Sequence, residues 1–300
     1  MERPQQYRRR PRLACEVTVS SVIAARASEK TRLLELFALR RLAPGVISPS
    51  LSGANVQDGE ALRAAVSGAL GAVGGTSRDV IVIIPDAAIR VLLLDFETLP
   101  AKAQDIDPVI RFRLKKSLPF DVEQASIAYD IRRSHGAVQV VAAVSPRAVV
   151  EEYEAAFRDA GYAPGVVLPS SLAALGIVEG QRPTLVLKVD PMNITIAAAQ
   201  NRELRLIRTL ENPHGIEVTP AELAEAVLPS IVFFEDQYGA KIQEICIGGA
   251  AAIDQIGPML HEQTGAEVRE LAPNLSSDQN LSGDSIEASS MAGLAGALLA

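Results

Sequence analysis

Apolar residues along this chain recur in two alternating rhythms. Residues 13–24 are rich in Val, Thr and Ser and read as a strand turning into a second strand. Residues 33–42 either continue that pattern or open a short helix. Between 60 and 73, Leu62, Val66, Leu70 and Val73 share one side with Ala65 and Ala69, which is helical spacing. Gly68, Gly71 and Gly74 imitate a glycine-rich phosphate loop. No strand precedes them, so close helix packing is the reading. Residues 79–85 (DVIVIIP) form a continuous β-branched run of the kind covered on both faces, and 90–94 is a further strand. Residues 107–118 place Val109, Ile110, Leu114 and Leu118 on one helical side, with Arg111, Lys115 and Lys116 mostly off it. Residues 127–133 and 138–145 read as a hairpin turning at Ser134, His135 and Gly136. A helix over 147–160 buries Val149, Val150, Tyr153 and Phe157 and stops at Gly161, and 168–174 begins another.

At residue 184 the pattern starts again. Strands are predicted at 184–189 and 194–199 around Asp190-Pro191-Met192-Asn193, and a third at 203–209 after a polar turn. Thr219-Pro220-Ala221-Glu222 is a helix start: Thr219 caps, Pro220 suits the first helical position and Glu222 completes a capping box. That helix buries Leu223, Val227, Ile231 and Phe234. A strand at 244–247 runs into Gly248-Gly249, followed by a helix at 250–263, a short strand at 267–271 and a polar surface loop at 273–284. Residues 289–299 form a helix of small residues suited to close approach to a sheet. The chain therefore reads as two αβ units, 13–183 and 184–300, after a basic tail at 1–12.

Charge sharpens this picture. The 300 residues carry a net charge of −7, yet the first twelve hold five Arg against one Glu, leaving −11 for the rest. An acidic body argues against nucleic acid as a partner. Arg8, Arg9 and Arg10 are placed to touch anionic lipid at about 1 kcal/mol per basic residue, or to remain a solvated tail. Cys15 and Cys246 are the only cysteines, which excludes a disulfide framework and a thiolate zinc site. The three histidines lie far apart, so no metal site is legible. No apolar run reaches the roughly 20 residues of a membrane span, and the charged start is unlike a signal peptide. The reading places the chain in the cytosol.

Several segments resemble one family. These are IPDAAIRVLLLDFETLP (84–100), RFRLKKSLPF (111–120), AYDI (128–131), VVAAVSPRAVVEEYEAAFRDAGYAP (140–164) and EICIGGAAAID (244–254). Their order and spacing are similar to those of the PilM family of type IV pilus assembly proteins, in the actin-like superfamily that includes the cell-division protein FtsA. The resemblance spans about residues 13–300. It implies an α/β, actin-like (ribonuclease H-like) two-lobed fold. A PilM/FtsA-type subdomain would be inserted at about 86–164, and the outer subdomain of the second lobe would be reduced, since 208–244 holds little more than one helix.

In that superfamily two β-turns, each usually Asp-x-Gly, hold the phosphates of ATP with Mg. Glycine admits close backbone approach, and N–H groups donate to phosphate. The resemblance maps a degenerate nucleotide site onto Glu16, Thr18, Ser20, Ser21, Asp190, Asn193, Gly248 and Gly249. Glu16 stands at the first Asp position, Thr18 at the Gly position, and Ile23 where relatives carry Lys. At the second turn, one register puts Lys188 at the acidic position and Asp190 at the Gly position. The other puts Asp190 at the acidic position and Met192 at the Gly position. These departures count against ATP binding and hydrolysis. Gly248-Gly249 suits the adenosine side, or is a plain strand-to-helix turn.

No other catalytic constellation appears. Glu151-Glu152 and Asp105/Asp107 read as charged helix starts or exposed pairs. Ser20-Ser21 and Ser170-Ser171 lack a local base, and the two cysteines read as buried inert thiols. The resemblance implies an adaptor of a pilus platform at the inner face of the bacterial inner membrane, with a role in twitching motility. It would bind the cytoplasmic N-terminal segment of a PilN-like inner-membrane protein, alongside other platform components, in a groove between the first lobe and the inserted subdomain. Arg111 and Lys115 are the candidate rim of that groove, and peripheral membrane association is compatible. The alternatives are an ATP-binding actin-like ATPase and the cytoplasmic domain of a type II secretion platform protein, which usually continues into a membrane span. Self-association is left open.

Overall fold

The computed structural model describes residues 10–28, 33–134, 137–215, 218–249, 253–273, 280–281 and 286–300. Most of the basic tail, the hairpin tip at 135–136, the predicted helix start at 250–252 and most of the 273–284 loop lie outside them.

The first repeat runs β1 (Leu13–Val17), β2 (Ser21–Ala27), β3 (Leu34–Arg41), α1 (Gly59–Val73), β4 (Asp79–Ile84), an inserted unit, α3 (Arg147–Asp159), β8 (Ala163–Pro169) and α4 (Ser170–Ala174). The inserted unit is β5 (Arg90–Phe96), α2 (Ala103–Leu114), β6 (Ala125–Ser134) and β7 (Ala137–Pro146). The second repeat is β9 (Thr184–Val189), β10 (Asn193–Gln200), β11 (Glu203–Glu211), α5 (Pro220–Tyr238), β12 (Glu244–Gly249), α6 (Ile253–Thr264), β13 (Glu267–Glu270) and α7 (Ala292–Leu299). Each repeat thus orders its elements βββαβαβα.

The two sheets are built alike. Their orders are β3-β2-β1-β4-β8 and β11-β10-β9-β12-β13, with three antiparallel strands followed by two parallel additions. The central strands are apolar because both faces are covered. Val80, Ile81, Val82, Ile83 and Ile84 are all buried, each worth roughly 1.5–3 kcal/mol relative to solvent. Helices α1 and α3 cover one face of the first sheet, and α5 and α6 cover one face of the second. Between the sheets lies a shared layer, α4 and α7. Ala173, Leu294, Ala295 and Ala297 pack on the first sheet. Ala174 and Ala292 join Val186, Ala197 and Cys246 of the second. This layer is thin because a Cβ on Gly296 would lie 1.9 Å from the Ala173 carbonyl oxygen. The small residues of α7 therefore allow it to approach α4 closely.

Residues 34–41 are a strand. The segment before 168, which the sequence pattern left without an element, is the edge strand β8. The inserted unit is a three-stranded antiparallel sheet, β5-β7-β6, with Ile106, Ile110 and Leu114 of α2 on one face. α3 belongs to the layers of the first lobe although it falls inside the 86–164 span, and β8, which starts at its end, belongs there too. In the second repeat, only residues 212–219 join β11 to α5 and only 239–243 join α5 to β12, which leaves no room for an outer subdomain. The capping box at Thr219 and Glu222 forms as its residues dictate.

Candidate functional site

The hairpins that head the two repeats share one geometry. Val17 pairs with Val22 across the four residues 18–21, and Val189 pairs with Ile194 across the four residues 190–193. This register makes Lys188 the equivalent of Glu16 and Asp190 the equivalent of Thr18. It selects the first of the two alignments available from the sequence. Both charges sit on central strands, Glu16 5% exposed and Lys188 6%. Around them are Asp86, just after β4, and Ser170 and Ser171, just after β8. The cluster thus gathers at the carboxyl ends of parallel strands, where open α/β sheets place their sites.

The buried carboxylates Glu16 and Asp86 have partners brought from far along the chain, and buried Lys188 has one in its own hairpin. The Ser170 hydroxyl donates to Glu16 Oε1. The backbone N–H and hydroxyl of Ser171 both donate to Asp86 Oδ1 at 2.9 Å. From the second lobe, the Thr195 hydroxyl reaches Asp86 Oδ2 at 3.4 Å, and Lys188 Nζ lies 2.5 Å from both oxygens of Asp190. Glu16 Oε2 is buried without a partner. Burial raises the Glu16 carboxyl to about 7, against the pull of Lys188 and the Ser170 hydrogen bond. Burial raises Asp86 as well. For Lys188, burial acts to lower the pKa, but Asp190, Asp86 and Glu16 together hold it above the usual lysine range. The ammonium thus pairs directly with Asp190 and acts electrostatically on Asp86 and Glu16. Ser170 and Ser171 do find carboxylates, contrary to the sequence reading. Both residues are 3% exposed, so no substrate reaches their hydroxyls.

The turns themselves are closed. Thr18 Oγ1 accepts the N–H groups of Ser20 at 3.3 Å and Ser21 at 3.0 Å, and the Thr18 N–H donates to the Ser21 carbonyl at 2.8 Å. In the second turn Pro191 has no N–H, and the Asp190 N–H donates to the Asn193 carbonyl at 2.9 Å. The Asn193 side chain donates to Thr195 at 3.3 Å within its own strand. The space between the turns is about 30 Å³, far below the roughly 300–1,000 Å³ of ligand pockets. Gly248 and Gly249 are explained by packing. A Cβ on Gly249, whose φ is +82°, would lie 2.0 Å from the Val189 carbonyl oxygen, and one on Gly248 would lie 3.1 Å from Leu271. The predicted set Glu16, Thr18, Ser21, Asp190 and Asn193 does converge, with Ser20 at the exposed edge. These residues do not fit Mg-ATP: the Thr18, Ser20, Ser21 and Asp190 N–H groups are engaged within their own turns, Pro191 has none, and Lys188 stands where the resemblance expects a carboxylate.

A larger opening lies beside this cluster. A groove of about 910 Å³ runs between the 49–52 loop, β5 and Pro119 on one side and β11 on the other, with Met192 and Asn193 between. Its loop wall is preformed. Buried Asn55 donates to the Ser50 carbonyl and accepts the Ser50 N–H, each at 3.0 Å. Glu152 Oε2 accepts the N–H groups of Asn55 at 2.7 Å and Val56 at 3.0 Å. Glu152, expected as part of a charged helix start, is therefore the anchor of this loop. β5 and β11 are both edge strands, the kind of backbone an extended peptide can pair with. Arg111 and Lys115 are not among the groove residues. Arg111 is tied to Asp107 at 2.7 Å and to the Val122 carbonyl at 2.9 Å, and Lys115 is exposed at the end of α2.

The duplicated sheets, the shared helical layer and the insert define an actin-like ATPase fold with two lobes. No family model matches the sequence, and no curated protein matches it significantly. Solved structures do match. A PilM–PilN type IV pilus biogenesis complex aligns with TM-score 0.75 at 18% identity, over 96% of this chain and 98% of the other. The cytoplasmic domain of EpsL, an inner membrane component of the type II secretion system of Vibrio cholerae, gives 0.54 at 12% identity over 96% and 94%. A Bacteroides thetaiotaomicron protein of unknown function with an actin-like ATPase fold gives 0.50 at 10% identity over 85% and 89%.

Proposed function

We propose that this chain is a cytoplasmic adaptor of an inner-membrane assembly platform, serving a type IV pilus or a related secretion system. It binds the short cytoplasmic N-terminal segment of a PilN-like membrane protein and works without nucleotide. The observation that carries this reading is the contrast between two clefts in one fold. The nucleotide crevice is filled by the chain's own side chains, while a preformed groove stands open beside it. The groove offers two edge strands for main-chain bonds and apolar side chains for pockets, the means by which extended peptides are held. The likeness to the PilM–PilN complex over nearly the whole of both chains supports the pilus assignment. The weaker likeness to the EpsL cytoplasmic domain supports a secretion platform as the variant reading.

Calorimetry with the partner's N-terminal peptide tests the proposal. Met192 is 49% exposed in the groove, so Met192→Asp leaves the fold intact and is expected to weaken binding at least tenfold. Unchanged affinity would place the peptide elsewhere. Peptides from pilus and secretion partners, titrated in parallel, separate the two systems. Mg-ATP titrated into the same protein is expected to give no heat, and micromolar binding would overturn the nucleotide-free part of the reading.

A further inference from the structure

Among the described residues, Phe112 is the most exposed of the large apolar side chains, at 79%. It projects from α2, whose opposite side is fixed by buried Ile106, Ile110 and Leu114. Residues 108–120 (PVIRFRLKKSLPF) carry Arg111, Arg113, Lys115 and Lys116 and no acidic residue, in a protein of net charge −7. Arg111 is committed to Asp107 and to the Val122 carbonyl. Arg113, Lys115 and Lys116 are exposed. Helical spacing places Pro108 and the capping residue Lys115 beside Phe112 on one face, and Lys116 follows in the turn that ends the helix. The acidic neighbours lie at the two ends: exposed Asp105 a further turn back, and Asp121 and Glu123 in the turn after the segment, where Asp121 accepts the Glu123 N–H.

An aromatic wedge ringed by basic residues is the pattern that seats a helix in a lipid headgroup layer, with the ring entering the acyl boundary and the cations on anionic headgroups. We propose that the Phe112 face of α2 docks on an anionic membrane surface. The acidic remainder of the molecule is repelled by the same surface, which fixes the orientation. Pro119, three residues after Lys116, lines the peptide groove. Docking through α2 therefore brings the groove towards the bilayer from which a membrane partner's short segment emerges. That last step rests on the proposed function; the lipid contact does not.

The chain has no tryptophan, so Phe112→Trp creates a single indole fluorophore at the wedge. Full-length protein is mixed, without any partner peptide, with vesicles of phosphatidylcholine alone or with about a third phosphatidylglycerol. The expected result is a blue-shifted indole emission and flotation with the anionic vesicles only, both abolished by high salt. Each basic residue near such a surface is worth about fivefold in partitioning. Lys115→Glu with Lys116→Glu is therefore expected to weaken flotation roughly twenty-five-fold or more, and Phe112→Ser about tenfold. All these positions are exposed, so the thermal midpoints should match wild type. Arg8 and Arg9 changed together to Gln, sparing Arg10, which donates to the Ala297 carbonyl at 2.6 Å, should leave the indole blue shift in place. The proposal is overturned if only the tail variant loses binding, if neutral vesicles bind equally, or if the indole emission does not move. It is also overturned if the α2 variants keep vesicle binding and lose peptide capture, which would make this face a protein interface. Loss of vesicle binding with peptide affinity intact supports the lipid contact and leaves the groove reading untouched.

Discussion

Replacing Glu16 by Gln should reverse part of the molecule's response to pH. Glu16 is buried between the lobes, and burial holds its carboxyl at about 7 against an ordinary 4.5. The folded chain therefore keeps a proton that the unfolded chain has released. The stabilising contribution is fully present below the unfolded value. It is lost as pH rises through the folded value, at up to about 1.4 kcal/mol per pH unit. From about pH 5 to about pH 8, this one group should cost the wild type about 2.5 kcal/mol. Glu16→Gln keeps an acceptor for the Ser170 hydroxyl and does not titrate. It also puts an amide NH₂ where Oε2 has no partner, at a cost that does not change with pH. The useful quantity is thus the gap between variant and wild type, followed across pH by urea unfolding. Asp86 is raised in the same direction, but it is present in both proteins and largely cancels from the gap. The variant should gain on the wild type by about 2.5 kcal/mol between the two ends of the range. A gap that stays constant would mean that Glu16 is ionised throughout, and the account of the cluster would fail.

Further outcomes follow from the same structure. Lys188→Met leaves Asp190, Asp86 and Glu16 without their cation and should destabilise the fold by about 3–5 kcal/mol; adding Glu16→Gln should recover part of that loss in urea unfolding, and no recovery would separate the two groups. Gly249→Ala drives a Cβ to 2.0 Å from the Val189 carbonyl oxygen at a φ of +82° and should cost about 3 kcal/mol or more. Gly71→Ala, in α1 with nothing within 4 Å of its Cβ, should instead stabilise by about 0.5–1 kcal/mol; thermal melts of the pair would expose an error if both moved the same way.

Much of the fold was legible because its signals are local. Apolar runs such as 79–84, helical stripes such as Leu62–Val66–Leu70 and the Thr219 capping box each follow from a few neighbouring residues, and the structure realises them. The repetition of the pattern at residue 184 carried the two-lobed architecture. Where the local signal failed, tertiary context decided. β8 (APGVVLP) has two prolines and a glycine, so its pattern signalled no element before the helix expected from 168. It pairs in parallel with β4 at the sheet edge, the position where proline is tolerated in a strand. The 34–41 segment became a strand because β2 supplies its partner.

The site was less legible, for a reason that the two repeats make plain. Compared with a nucleotide motif, Glu16 and Lys188 are departures, and Asp86, Ser170 and Ser171 carry no motif at all. In physical terms, LACEV and LVLKV each place a charge next to last in an otherwise apolar buried strand, at the same point of a duplicated unit. A buried charge is costly unless paired. Two of opposite sign at equivalent positions are therefore expected to face each other across the repeat axis. That inference needs only the duplication and the sign of the charges, both present in the sequence. It also explains why the crevice has no room for a ligand. The second repeat contributes the cation Lys188 to the carboxylates Asp190, Asp86 and Glu16 gathered there. The larger opening beside it is the groove between β5 and β11.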